Sequence, residues 1–445
     1  MKIIIAGTGE VASYLAEVLA NESQDVIVIG SDVNRLAEIN ASFNVLTHTG
    51  DPTSVTILQE MGISECKMFI ALLRDDTDNM IACSMAKKLG AAMTVARVTK
   101  YHFKEPTNEE FLHHLGVDHI LHYEYLAARE ILTFLTHAWA KQWVALYGGR
   151  LFVVAIKISD ASPMVGQSLN TFTATKRDFH VAVIKRGIDT IIPCGSDVIQ
   201  PGDILYFTVT AEHIDTLAGM SGNTDVPIRK VVIMGGSEIA VRLSNIAPQK
   251  CYTFKLIEKD EAKCRALQSE THNCTIIHGD GTKIDTLSYA GQADAFVALS
   301  KIDEVNILSC VTAREMGAGH VIANVEDIQN IPLSENFNIN AIINRKLLAS
   351  TYIFQLLLSL DAPASKIISL TDAEIVETTA QNGSPITKGP IATLKLPRDI
   401  TLAGVIHDGC GMLVNGDTNI HPGDHTVVVC RAGAILKVKQ LFTTK

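Results

Sequence analysis

Gly7-Thr8-Gly9-Glu10-Val11-Ala12 follows an apolar, β-branched run and opens a helical pattern. Glycine at the first place permits a tight turn. At the third place it lets a pyrophosphate approach the backbone at the positive end of the helix. Alanine at the sixth place is an accepted variant of this fingerprint. A related turn, Gly235-Gly236-Ser237-Glu238-Ile239-Ala240, stands in the second half of the chain. There Ser237 replaces the glycine that must clear the pyrophosphate. The competing reading of either turn is a tight strand-to-helix connection that binds nothing, and it weighs more heavily on the second. About twenty residues on, a carboxylate closing the second strand would accept both ribose hydroxyls. Glu258 has that place in the second half. In the first half the place belongs to Gly30, with Asp32 two residues later. Asp32 either reaches the ribose or caps the next helix. Gly30 with Ser31 and Arg35 alternatively suits a 2′-phosphate.

Other polar groups invite chemistry less strongly. Asp75, Asp76 and Asn79, with Asp303 and Asn306, fall where a strand meets a helix, and helix capping accounts for them better than cation binding. The histidines from His113 to His122 have no cysteine pair at zinc spacing, so a solvated helix end explains them and no metal is expected. Nine cysteines without a CxxC pair read as reduced thiols of a cytoplasmic protein. A net charge of -10 without a basic run argues against a nucleic-acid partner. The N-terminal MKIIIAGTGEVA runs directly into a strand and a glycine turn, unlike a signal peptide. The most apolar stretch, Leu347 to Leu360, falls short of the roughly 18 unbroken apolar residues of a spanning helix. Any membrane role must come through a partner.

The elements that position these residues occur twice. KIIIAGTGEVASYLAEVLA recurs as KVVIMGGSEIAVRLSNIA, and MFIALLRDDTDNMIACSMAKKLGA as AFVALSKIDEVNILSCVTAREMGA. Gly7 pairs with Gly235, Asp51 with Asp280, and Asn79 with Asn306, an offset of about 228 that indicates duplication. Strands are expected near Lys2–Ala6, Asp25–Ile29, Asn44–His48, Met68–Leu72, Thr94–Arg97 and His119–Leu121. Alternation of these with helical patterns predicts a Rossmann-like, doubly wound parallel sheet in each copy. GSDVIQPGDILYFTV parallels GDTNIHPGDHTVVVC, so each α/β part is followed by a small β-rich α+β part. The predicted organisation is an α/β lobe over 1–122, a linking helix over 123–146 and a β-rich domain over 147–220. A linker over 221–228 then leads to a second α/β lobe over 229–343, a linking helix over 344–362 and a β-rich domain over 363–445. The helical patterns themselves run Tyr123–Trp143 and Arg345–Ser359. Ser221-Gly222-Asn223-Thr224 reads as a turn between the copies.

On these matched segments the whole chain resembles the TrkA family of peripheral potassium-transporter subunits, with tandem RCK (KTN) domains. The resemblance implies binding of NAD(H) or of ATP/ADP as a regulatory ligand. It also implies assembly into a homo-oligomer, dimer or tetramer, and docking on an integral membrane subunit of the TrkH/TrkG type at the inner face of the cell membrane. Carried over, the phosphate turns are Gly7, Thr8, Gly9, Glu10 and Val11, and Gly235, Gly236, Ser237, Glu238 and Ile239. The ribose positions are Gly30 with Asp32, and Glu258. The loop after the third strand carries Asp51 and Asp280. The residues near the adenosine are Leu73 and Arg74, and Ser300 and Lys301. The arginine ending the fifth strand is Arg97 in copy one and is replaced by Asn324 in copy two. An NAD-dependent dehydrogenase is the main competing reading, but neither β-rich part carries a His/Asp pair or a Tyr-xxx-Lys to serve the nicotinamide. The expectation is a sensor and not an enzyme. A ligand-free scaffold is the third reading.

Overall fold

The fold begins on KIIIA, a strand apolar throughout, as a strand buried on both faces of a parallel sheet must be. The structure is a computed structural model, and it describes residues 1–21, 24–175, 178–187, 189–220, 227–331, 334, 337, 339–360, 366–370, 373–431 and 434–444. The junction Ser221–Thr224 lies outside the described residues.

In copy one, β1 (Lys2–Ala6), β2 (Asp25–Gly30), β3 (Leu46–Thr49), β4 (Met68–Ala71), β5 (Met93–Arg97) and β6 (His119–Leu121) form one parallel sheet in the order β3-β2-β1-β4-β5-β6. The order reverses between β1 and β4, which places the switch point at the C-terminal end of β1. Ile3, Ile4 and Ile5 are fully buried, and Ile4 packs in one cluster with Phe69, Ala82, Cys83 and Ala86. Burying one such Ile or Phe contributes about 1.5–3 kcal/mol.

After copy one come β7 (Gln142–Leu146), β8 (Leu151–Lys157), β9 (His180–Arg186), β10 (Asp189–Ile191) and β11 (Ile204–Val209), an antiparallel sheet ordered β10-β9-β11-β8-β7. Copy two repeats the α/β sheet with β12 (Lys230–Met234), β13 (Thr253–Glu258), β14 (Cys274–His278), β15 (Ala295–Ala298), β16 (His320–Asn324) and β17 (Ala341–Ile343), ordered β14-β13-β12-β15-β16-β17. Then β18 (Lys366–Leu370), β19 (Ala373–Thr379), β20 (Ile400–His407), β21 (Cys410–Leu413) and β22 (His425–Arg431) form a second antiparallel sheet, β18-β19-β22-β20-β21. Read in reverse, this is the order of the first. The Rossmann-like fold, twice, each time followed by a small β lobe, is the architecture of the chain.

One stretch departs from the sequence expectation. The helix begun at Tyr123 ends at Thr136, and Trp143 lies in β7. Gln142–Leu146 alternates its side chains across a strand that pairs with β8, and the Trp143 ring stacks on His137 at 3.7 Å. The second linking helix runs Arg345–Leu360.

The four sheets form two compact units, each drawing one segment from each half of the chain. One comprises Met1–Leu132 with Ile228–Phe354, the other Thr133–Pro227 with Gln355–Lys445. Within the α/β unit the lobes touch through residues that the duplication makes equivalent. The Arg242 guanidinium lies 4.3 Å from the Tyr101 ring centroid, while their counterparts Tyr14 and Ile328 share a cleft. Lys346 Nζ meets Glu10 Oε2 at 3.1 Å. Within the β unit Tyr147 donates from its hydroxyl to the Thr426 carbonyl at 3.0 Å. Leu146, Leu151, Val153 and Tyr206 share one core with Ile375, Ala403, Val427 and Val429.

Candidate nucleotide site

Gly7 closes β1 at a φ of 126°, the left-handed side that favours glycine, and its amide donates to the Ile29 carbonyl at 2.8 Å. A Cβ added there would lie 2.6 Å from the Leu72 carbonyl oxygen, so the turn passes hard against the strand beyond the switch point. Gly9 is different. A Cβ there meets nothing within 4 Å, at the amino end of the helix Glu10–Asn21. The second glycine is required by nothing in the protein, and the open space above it suits a pyrophosphate on the helix N-terminus. Val11 opens the same helix, and Ala12 packs in the core.

The ends of β4 and β5 are brought to the same edge. Asn79, fully buried, accepts from the Leu73 amide at 2.7 Å and donates to the carbonyls of Leu73 and Arg97, both at 3.0 Å. Arg97 Nη1 donates to the Leu73 carbonyl at 3.1 Å, and its guanidinium lies 5.4 Å from the Tyr123 ring centroid. Arg97 Nε is buried without a protein acceptor, an orphaned cationic donor that fits an anionic ligand. Arg74 is exposed. Asp75 caps the helix Asp76–Lys88 by accepting from Thr77 N at 2.8 Å, while Asp76 accepts from the Thr99 and Lys100 amides. The capping reading therefore holds for Asp75; Asp76 and Asn79 staple strand ends instead. Asp51 sits in an Asx turn with Thr53, as Asp280 does with Thr282. Asp32 accepts from Arg35 N at 3.1 Å and caps the helix Val33–Ser42. The methyl of Thr8 covers Gly30, 2.6 Å from where a Cβ would stand.

Copy two holds its turn with its own side chains. Gly235 has a φ of 97°, and Ser237 caps the helix Glu238–Ile246 from Ala240 N. Ile239 is buried in that helix. Glu258 accepts from Gly236 N at 3.0 Å, Lys259 N at 2.7 Å and Asp260 N at 3.0 Å, and pairs with Lys263 at 3.2 Å. Burial opposes ionisation of Glu258, yet the Asp260 and Gly236 amides and the Lys263 ammonium hold its carboxyl below the usual glutamate range. A side chain on Gly236 would collide with Leu267 and Glu258, so that glycine serves the protein's own packing. Asn306 ties Ser300 to the Asn324 carbonyl as Asn79 ties Leu73 to Arg97. Asp303 is not a cap. It accepts from the Glu326 and Asp327 amides beyond β16. Lys301 is exposed.

The structure splits the histidine run. His113 is largely exposed, but His122 is 2% exposed, between Tyr101 and the Arg242 that approaches from the other lobe. The charge of Arg242, from the second copy, adds to that burial in disfavouring the protonated ring, an approach that local sequence pattern does not show. Among the described residues no group of three histidine, cysteine or acidic side chains is set to hold a metal, and all nine cysteines are free of disulfides. No helix is long and apolar enough to cross a membrane, among the described residues. Lys346 and Tyr14, which with Thr8 and Arg35 line a cleft of about 320 Å³, carry no sequence motif that marks them.

Duplicated Rossmann-like lobes with dinucleotide-type glycine turns, each followed by a five-stranded antiparallel lobe, define a class of tandem-lobe proteins. The family profile described as the TrkA-N domain matches residues 3–123 and 231–345, and the TrkA-C domain matches 153–220. The chain belongs to the TrkA-N family. Similar curated proteins include the "Trk system potassium uptake protein TrkA" of Halomonas elongata, 28% identical over 99% of this chain and 98% of that protein. The protein of the same description from Azorhizobium caulinodans is 26% identical over 99% and 98%. A "Trk system potassium uptake protein TrkA homolog" from Archaeoglobus fulgidus is 27% identical over 99% and 100%. Among solved structures, the "GsuK RCK domain" is similar with a TM-score of 0.63 at 16% identity, over 99% of this chain and 94% of that one. The "GsuK channel bound to NAD" gives 0.63 at 15% identity, over 99% and 78%. At such identity these two speak for the fold alone.

Proposed function

We propose that this chain is the cytosolic, nucleotide-sensing subunit of a bacterial potassium uptake system, peripheral on the inner face of the cell membrane. It takes NAD(H) or ATP/ADP as a regulatory ligand in copy one, with Gly7 to Val11 around the phosphates and Arg97 facing their charge. Its partner is an integral membrane subunit of the TrkH/TrkG type, and it works as a homo-oligomer, dimer or tetramer. The full-length similarity to proteins described as TrkA supports this assignment. The observation that carries it is the open space above Gly9 at a helix N-terminus, in a turn whose other glycine is locked by its own backbone. When bound, a nucleotide supplies no bond chemistry here. It supplies charge and contacts that favour one arrangement of the assembly over another, and the transporter reads that preference. The second β lobe does pair His407 with Asp424 at 2.6 Å, which corrects the sequence expectation that neither β part holds a His/Asp pair. The sensor reading is kept over the dehydrogenase because the full-length relatives are described as potassium uptake proteins.

The test joins binding to transport. The chain is co-purified with the membrane subunit and reconstituted in vesicles, and rubidium flux is measured with and without NADH and ATP. Nucleotide-dependent flux, lost in Gly9→Asp, is the expected result. Steady, protein-dependent NADH consumption with a simple carbonyl substrate would return the dehydrogenase reading. Calorimetry showing no nucleotide binding at all would leave the scaffold reading.

A further inference from the structure

We infer that the site of copy one selects a dinucleotide bearing a 2′-phosphate, NADP(H) over NAD(H), with Arg35 and Ser31 receiving the extra phosphate; the inference rests on the nucleotide reading above. The two lobes act as controls for one another. In copy two, β13 ends on Glu258, a carboxylate that suits free ribose hydroxyls and repels a 2′-phosphate. In copy one, β2 ends on Gly30. The place of a side chain at Gly30 is already taken by the Thr8 methyl. The next acid in sequence, Asp32, is engaged as the helix cap on Arg35 N. Copy one therefore has no acid at the end of its second strand, where copy two has Glu258.

What replaces the acid is cationic. Ser31 is exposed just before Asp32, the cap of the ten-residue helix Val33–Ser42, whose amino end carries partial positive charge. Arg35 stands in the first turn of that helix and lines the cleft of about 320 Å³ together with Thr8, the middle residue of the phosphate turn. The guanidinium and the turn thus share one recess. Arg35 Nη1 pairs with Glu38 Oε2 at 3.2 Å, but the two side chains are 57% and 67% exposed. A pair so exposed holds the guanidinium weakly, and a phosphate offers it a forked, charge-assisted alternative. Of the other carboxylates on the cleft, Glu10 is already met by Lys346 at 3.1 Å, and Glu17 lies further along the first helix.

Titration calorimetry of the full chain with NADPH, NADH and ATP, at one salt concentration, tests this. NADPH should bind at least about tenfold tighter than NADH. The difference should collapse in Arg35→Ala and survive in part in Arg35→Lys. Adenosine 2′,5′-bisphosphate against AMP isolates the same phosphate and should show the same order. Equal affinity for NADPH and NADH, or a preference untouched by Arg35→Ala, overturns the inference and leaves the nucleotide site standing. Failure of NADPH, NADH and ATP alike to bind overturns the nucleotide reading itself. Because Arg35 is exposed, an unchanged unfolding temperature shows that the variants are folded.

Discussion

Two glycines two residues apart answer to different masters. Gly7→Ala drives a methyl into the Leu72 carbonyl at a positive φ and should cost about 2 kcal/mol or more in urea unfolding. At Gly9 an added Cβ meets no protein atom within 4 Å, so the unfolding of Gly9→Asp should stay near that of the parent while NADH binding weakens at least about tenfold, roughly 1.4 kcal/mol. Ser237→Asp should do less, since that turn already carries a side chain. Equal losses at Gly9 and Ser237 in thermal-shift titrations would mean that both turns bind. Two histidines make the pH prediction, with opposite signs. Burial first, and then the charge of Arg242, pushes His122 down to about 4 from an ordinary 6.5. Between those values the unfolded chain takes up a proton that the fold refuses, so stability drops as pH falls, by as much as about 3 kcal/mol. Its counterpart is Asn344, which caps the next helix from Leu347 N as His122 does from Tyr125 N. His122→Asn should therefore flatten the loss seen between pH 7 and 5. His407 is instead raised by its hydrogen bond to Asp424. The stabilisation from that pair is fully present below 6.5 and is lost as pH rises through the raised value. The corresponding pair in the first β lobe is Arg186–Asp203, whose guanidinium the hydrogen bond to Asp203 holds charged above its already high ordinary value, so His407→Arg should remove the alkaline loss. Urea midpoints at pH 5, 7 and 9 check both.

At the scale of elements, the sheet ends that frame the site are held by side chains from the helices behind them. Asn79→Ala takes this partner from the part-buried Leu73 amide and Arg97 carbonyl, while Arg97 Nη1 still serves the Leu73 carbonyl, and should cost about 1–3 kcal/mol, with Asn306→Ala close to it. Asn79→Ala should also weaken nucleotide binding, because Leu73 and Arg97 lose their common anchor; unchanged affinity in that variant would mean the strand ends do not shape the site. The repeat made Asn79 and Asn306 conspicuous in the sequence, but their role was readable only as capping, since the contact joins the ends of two strands. The strands of both α/β sheets were legible because buried parallel strands are continuous apolar runs bounded by glycine turns. The glycine turn after β1 was legible because glycine spacing is both the sequence signal and the geometry of a tight strand-to-helix turn. Gln142–Leu146 was not legible as a strand. It follows a helix directly, and its alternation becomes meaningful only once β8 lies beside it. Arg35 was visible as a charge near Gly30, but its place beside Thr8 in one cleft needed the helices to be packed.

At the scale of the whole molecule, duplication accounts for how the chain is stabilised as well as how it is repeated. Neither half completes a compact unit, for each unit takes one segment from before the junction and one from after it. That pairing leaves no local trace in sequence, because it joins residues such as Tyr147 and Thr426, or Tyr101 and Arg242, which are far apart along the chain. A half chain of residues 1–220 would expose Leu146, Leu151, Val153, Val183 and Tyr206, side chains that the intact protein buries against Ile375, Ala403, Ile406, Val427 and Val429. Exposed apolar area of that kind is covered by association. The missing half has the same strand order and related side chains, so a second copy of the half chain is the most complementary surface at hand. Residues 1–220 should accordingly sediment as a homodimer at micromolar concentration. Replacing Leu151 by Asp should break that dimer and lower the solubility of the half chain. Mixing 1–220 with 227–445 should convert the homodimer to a heterodimer, because the lobe contacts Tyr101–Arg242 and Glu10–Lys346 form only between unlike halves. A half chain that sediments as a stable monomer would show that each lobe folds independently of its counterpart, and that the shared cores are contacts between finished domains.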